Sequence, residues 1–94
     1  MFESSTFINT GDGSKYLRHL CKHFNHKVEA SWTDSEGEIH FDIGRCTLAA
    51  NADTLSIHCC AEDEARLEEL KEVIKSHFDR FARREHHVLD WPPV

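Results

Sequence analysis

The chain has 94 residues, with seventeen acids against eleven Lys and Arg (a formal charge of −6), 39% apolar residues and 30% charged. This is a globular composition, enough for one domain with one modest core and too small for a deep internal catalytic cavity. The acidic balance argues against a general nucleic-acid binder, which needs clustered Lys and Arg, and no apolar run approaches the roughly 18 residues of a membrane span.

Residues 2–9 are rich in hydroxyl and β-forming side chains and predict a first strand. Gly11, Asp12, Gly13 and Ser14 interrupt it, and Asp12 or Ser14 can cap a helix beginning there. Over 14–25, Leu17, Leu20, Cys21 and Phe24 recur at helical spacing on one face, with Lys15, Arg18, His19, Lys22 and His23 on the other side. Four strand-like segments come next. Val28, Ala30 and Trp32 alternate with polar neighbours, as do Ile39, Phe41 and Ile43. Cys46, Leu48 and Ala50 form a third alternating set, and Leu55, Ile57 and Cys59 a fourth. Turns fall at 34–37 and 51–53, and Gly44-Arg45 is either a tight turn or a bulge within one long strand. A second helix is predicted over 62–84. Acids crowd its first turns and Arg80, Arg83 and Arg84 its last, while Leu67, Leu70, Ile74, Phe78 and Phe81 make a continuous apolar stripe. The tail offers one further short strand at 88–91 before Pro92-Pro93.

The expected fold is a single α+β domain over 1–94, ordered β-α-β-β-β-β-α. It has one antiparallel sheet of about five strands and both helices on one face, because each element has only one apolar side to bury. Leu20, Phe24, Trp32, Phe41, Leu48, Ile57, Leu70, Ile74, Phe78 and Phe81 are the expected core. The opposite sheet face then presents Glu29, Ser31, Thr33, His40, Asp42, Thr47, Ser56, His58 and Cys60. His40, His58 and Cys60 are metal-ligand types, and two imidazoles two strands apart, about 10 Å between backbones, can just share an ion. A polar solvated face is the simpler account of the same residues.

Eight histidines is a high count. His19, His23 and His26 share one helical stripe, but the glutamate of a zinc-binding HExxH helix is missing, and Lys15 and Lys22 repel a cation. His77 borders the second helix's apolar stripe, as a hydrogen-bonded histidine at a core edge would. Lys22, His23, His26, Lys27 and Arg80 form a cationic cluster if the two helices' ends meet. Such a cluster suits a carboxylate, phosphate or catecholate better than a bare metal. GxSxG, P-loop and GxGxxG patterns are absent, and neither Tyr16 nor the scattered serines have a recognisable base partner.

Cys21, Cys46, Cys59 and Cys60 contain no CxxC pair, and no charged-then-apolar leader opens the sequence. The expectation is reduced, mostly buried thiols in a cytoplasmic protein.

Three stretches carry a family resemblance: Leu20-Cys21-Lys22-His23-Phe24-Asn25-His26-Lys27, then Phe41-Asp42-Ile43-Gly44-Arg45-Cys46-Thr47-Leu48, then His77-Phe78-Asp79-Arg80-Phe81-Ala82. With the closing Asp90-Trp91, they resemble a bacterial family of small uncharacterised proteins, domain-of-unknown-function family 2218. The resemblance implies a bacterial cytosolic domain, stand-alone or the companion of a siderophore-interacting flavin reductase, which tilts the expected ligand toward iron handling. The family pattern falls on His23, His26, Lys27, Cys46, His77, Arg80, Phe81 and Trp91, a mixture of core and site positions.

Three readings fit these residues. The first is a non-enzymatic accessory or binding domain for a small anion or metal ion, with His23, His26, Lys27, His77 and Arg80 as the ligand-binding candidates and no cofactor assigned. The second is a small enzyme with His23 or His77 as general acid or base. The third is a homodimeric interaction module using the open sheet face or the Trp91 tail.

Overall fold

A computed structural model describes residues 1–82, the side chain of Phe81 excepted. The expected strand at 88–91, Arg83, Arg84, Trp91 and the packing of Phe81 lie outside the described residues. The elements are β1 (Phe2–Asn9), α1 (Gly13–Phe24), β2 (Glu29–Trp32), β3 (Glu36–Phe41), β4 (Gly44–Ala50), β5 (Thr54–Ala61) and α2 (Glu64–Phe81). The five strands form one antiparallel sheet in the order β1-β5-β4-β3-β2, with both helices on one face. The fold is the α+β arrangement expected from the alternation of apolar residues.

Strands β2 to β5 are a meander. β1 instead pairs with β5, Ser5 opposite His58, so the first and last strands lie side by side. α1 crosses β2 to β5, and α2 lies over β1, β4 and β5. Glycine at position 37 lets α1 come close: a Cβ there would stand 2.7 Å from Cys21 Sγ and 3.2 Å from Leu17 Cδ2.

Leu20, Ile39, Leu55, Ile57, Leu70, Ile74 and Phe78 are sealed between helices and sheet. Phe24 and Leu48 join them as expected. Trp32 and Phe41 are only half-buried and pack on the rim of this core. Trp32 lies on a four-residue edge strand, which has a neighbour on one side only. Tyr16, outside the predicted apolar face of α1, is buried with its ring edge-on to Phe78 at 5.3 Å.

Local details differ in three places. The β3–β4 turn is Asp42-Ile43, with Phe41 paired to Gly44, rather than Gly44-Arg45. A two-residue turn explains why inward residues are odd-numbered before it and even-numbered after it, and it removes Asp42 from the open face. Asp12 stands at the α1 N-cap but makes no side-chain cap bond. α2 begins at Glu64 rather than 62, because Asp63 Oδ1 accepts the Arg66 backbone N–H at 2.7 Å.

Candidate functional site

The last turn of α1 carries Lys22 and His23, and the chain then turns through Asn25, His26 and Lys27. The amides of Lys27 and Val28 both donate to the Phe24 carbonyl at 2.9 Å, which closes that turn tightly. α2 passes close by. The His77 ring lies 4.8 Å from the His23 ring and 4.8 Å from the Phe24 ring, and Phe24 stands edge-on to Phe41 at 5.0 Å. Two imidazoles from distant parts of the chain thus share one aromatic seat at the helix junction.

His77 Nδ1 donates to the Val73 carbonyl at 2.9 Å. That bond fixes the proton on Nδ1 and leaves Nε2 as the acceptor face. The imidazole of His23 is held below its usual pKa. Partial burial comes first among the causes, followed by the positive charge of His77, His19, His26 and Lys27. Lys22, His26, Lys27 and Arg80 are exposed, and of these His26 and Lys27 act on His23 through their charge. Arg80 follows His77 by three residues on α2, and Asp79 between them is held by Lys75 at 2.7 Å. The junction therefore sets His19, His26 and Lys27 close to the His23–His77 pair, while Asp79 on α2 is engaged by Lys75.

The opposite sheet face is ordered in rows fixed by the register. Ser5, His58, Thr47, Glu38 and Ser31 form one row, with one residue from each strand. Glu3, Cys60, Arg45, His40 and Glu29 form the next. His58 Nδ1 faces Ser5 Oγ at 2.5 Å, and its Nε2 faces Glu3 Oε1 at 2.9 Å. His40 Nε2 pairs with Glu38 at 2.9 Å. Cys60 Sγ donates to Met1 Sδ at 2.8 Å. An open trough of about 590 Å³ runs over this face past Ser5, His58, Thr47, Glu38, Ser31 and Trp32.

The structure does not bring the metal-ligand candidates of this face together. His40 and His58 are two strands and one row apart, about 12 Å between backbones. His40 and Cys60 have Arg45, a cation, between them in their row. Among the described residues no group of three or more His, Cys, Asp or Glu side chains is placed to hold a metal ion.

All four cysteines are free and buried. Cys46 and Cys59 oppose each other across β4 and β5, and their thiols share a hydrogen bond that, with burial, pushes Cys46 well above the usual thiol range. Burial raises Cys21 to about 11, although a bond to the Glu38 backbone opposes it. Such thiols are poor nucleophiles.

A family model described as "Uncharacterized protein conserved in bacteria (DUF2218)" matches residues 5–92. The chain belongs to DUF2218. Among solved structures it is similar to the "NMR structure of PA4090 from Pseudomonas aeruginosa", with a TM-score of 0.81 at 32% identity over 99% of this chain and 97% of that one. No curated protein matches the sequence. Among the described residues of this DUF2218 chain, no helix is long and apolar enough to cross a membrane.

Sequence reasoning singled out His58 but not its partners Ser5 and Glu3. Their only signal was shared parity on a strand whose neighbour the pattern left unassigned. The expected cluster of Lys22, His23, His26, Lys27 and Arg80 was conditional on the two helix ends meeting; the structure brings the His23 and His77 rings together there. Arg80 makes no ion pair among the described residues.

Proposed function

We propose that this DUF2218 domain is a small accessory binding domain that takes a small multivalent anion at the α1–α2 junction. The observation that carries the reading is the His23–His77 contact, with His26 and Lys27 close enough to act on His23 and Arg80 one helical turn beyond His77 on α2. An anion seated there gains charge-assisted hydrogen bonds worth about 1.5–3 kcal/mol each. The C-terminal ends of both helices oppose an anion by only about 0.3–1 kcal/mol apiece, so direct contacts decide the sign. Helix C-termini also attract cationic side chains without any ligand, and that is the plain structural alternative. Carboxylates, phosphates and catecholates fit the chemistry, and the last of these is how such a domain would serve an iron-handling reductase.

The direction of a pH dependence separates an anion from a metal. His23 resists its proton in the free protein, and a bound anion restores it, so anion binding takes up a proton. Affinity must rise as pH falls through the region at and below about 6.5. A metal needs neutral imidazoles and shows the opposite slope. Sulfate is a suitable probe because its own charge is constant over this range. Chemical-shift titration of the His23 and His77 rings with sulfate, at pH 5.5 and pH 7.5, is the test. Tighter binding at pH 5.5, lost in the His23→Ala/Arg80→Ala double variant, supports the reading. Equal responses from the double variant and the parent overturn it.

A further inference from the structure

On the sheet face away from the helices, we propose that Ser5 is a nucleophile and acyl acceptor toward small activated carboxylic esters, with His58 as its base and Glu3 as the group that orients His58. The proposal is independent of the anion site, which lies across the sheet.

The register makes the arrangement. Ser5 and His58 are direct cross-strand partners on β1 and β5, and Glu3 lies two residues from Ser5 on the same face. The two hydrogen bonds run in line from Ser5 Oγ to His58 Nδ1 and from His58 Nε2 to Glu3 Oε1. Glu3 is an acceptor, so Nε2 carries the ring proton and Nδ1 is left bare toward the serine hydroxyl. This is the tautomer a general base requires, with the two ring nitrogens exchanged relative to the Ser-His-Asp arrangement of serine proteases. Ser5 is exposed and borders the trough, so a substrate can reach it.

The surroundings limit the substrate. Glu3, Glu29, Glu36 and Glu38 share this face with Arg45 and His40 as its basic groups. Arg45 and His40 are both drawn toward Glu38. A neutral or cationic ester is therefore favoured over an anionic one.

In the acylation step Ser5 Oγ bonds to the carbonyl carbon as its proton passes to His58 Nδ1. The carbon–oxygen bond to the leaving alcohol then breaks, and that alcohol takes the proton from Nδ1. Water, activated in the same way, releases the acid and returns the proton to Ser5. The face is open to solvent, so it gives little of the transition-state stabilisation that a closed, preorganised site supplies. Acylation followed by slow turnover is the expected behaviour.

Cross-strand polar pairs on a solvated face also form such bonds without any chemistry. The test therefore reads a covalent product. The full chain is treated with p-nitrophenyl acetate, and the acetylated residue is located by peptide mass mapping. General-base assistance is worth about 10²–10⁴-fold in enzyme sites, and an exposed trio should retain at least about 10-fold. One acetyl group should appear on Ser5, with p-nitrophenolate released about 10-fold faster than from Ser5→Ala or His58→Gln. Ser5→Cys should remain acylated at this position. Equal rates from the parent and Ser5→Ala, or acetylation confined to lysines and the N-terminal amine, overturn the proposal.

Discussion

His23, the penultimate residue of α1, and His77, in the last turns of α2, hold their imidazoles with ring centres 4.8 Å apart. Each positive charge added to this pair opposes the next, which is part of why His23 resists protonation. Replacing His77 by Gln removes one of those charges and should move the His23 titration, followed by its ring proton shifts, up toward the ordinary value of about 6.5. An unmoved midpoint would show that burial and the charges of His19, His26 and Lys27 set it without His77.

Stability should carry the same signature. The folded-state pKa of His23 is depressed below the unfolded value, so above about pH 6.5 neither state binds the proton and the group costs nothing. As pH falls below that value the unfolded chain binds it first, and stability is lost until the folded-state value is passed. Urea midpoints of the parent should therefore drop between pH 7.5 and pH 5 by more than those of His23→Gln. The difference will be small because His23 is exposed.

Phe78 is fully buried and packs edge-on against Tyr16, joining α2 to α1. Phe78→Ala should destabilise by about 3–5 kcal/mol in urea unfolding, the range for aromatic truncation in a core. A loss under about 1 kcal/mol would mean that α2 docks through another face.

Much of the fold was written in parity. Cys46, Leu48, Ile57 and Cys59 face inward because they share the alternation of their strands, and Leu70, Ile74 and Phe78 because they recur at helical spacing. The Asp42-Ile43 turn was hidden because Ile43 extends the odd-numbered apolar run begun by Ile39, and only the paired register shows where that run ends. The sites were less legible for a different reason. Periodicity says which face a residue takes, but not which strand becomes its neighbour. The Ser5–His58 contact depends on β1 pairing with β5, and the His23–His77 contact on how two helices cross.

The thiols offer a check on the core. Cys46 and Cys59 are directly opposed residues of an antiparallel pair, whose Cα separation of about 4.5–5.5 Å falls in the range a disulfide can bridge. Both are nevertheless free. Non-reducing alkylation should add four labels after unfolding and proceed far more slowly in the native state, where burial raises Cys21 and Cys46. Recovery of only two labels from freshly purified protein would reveal a disulfide and contradict the free-thiol core.

The contact between α1 and β3 can be tested through Gly37 and Cys21. A Cβ on residue 37 would stand 2.7 Å from Cys21 Sγ, well inside van der Waals contact, and that sulfur is itself fully buried and has nowhere to retreat. Gly37→Ala should therefore cost about 1–3 kcal/mol, the usual penalty for overpacking a filled core. Cys21→Ala alone should also destabilise, since it leaves a small cavity where the sulfur was. Combining them puts the new methyl against the space the sulfur vacates. The double variant should be more stable than the sum of the single losses predicts, with a coupling of about 0.5–2 kcal/mol by urea unfolding. Part of the Gly37→Ala cost must survive in the double variant, because Leu17 Cδ2 still lies 3.2 Å from the same Cβ position. Strict additivity would show that the helix shifts away from the sheet instead of pressing its thiol against residue 37.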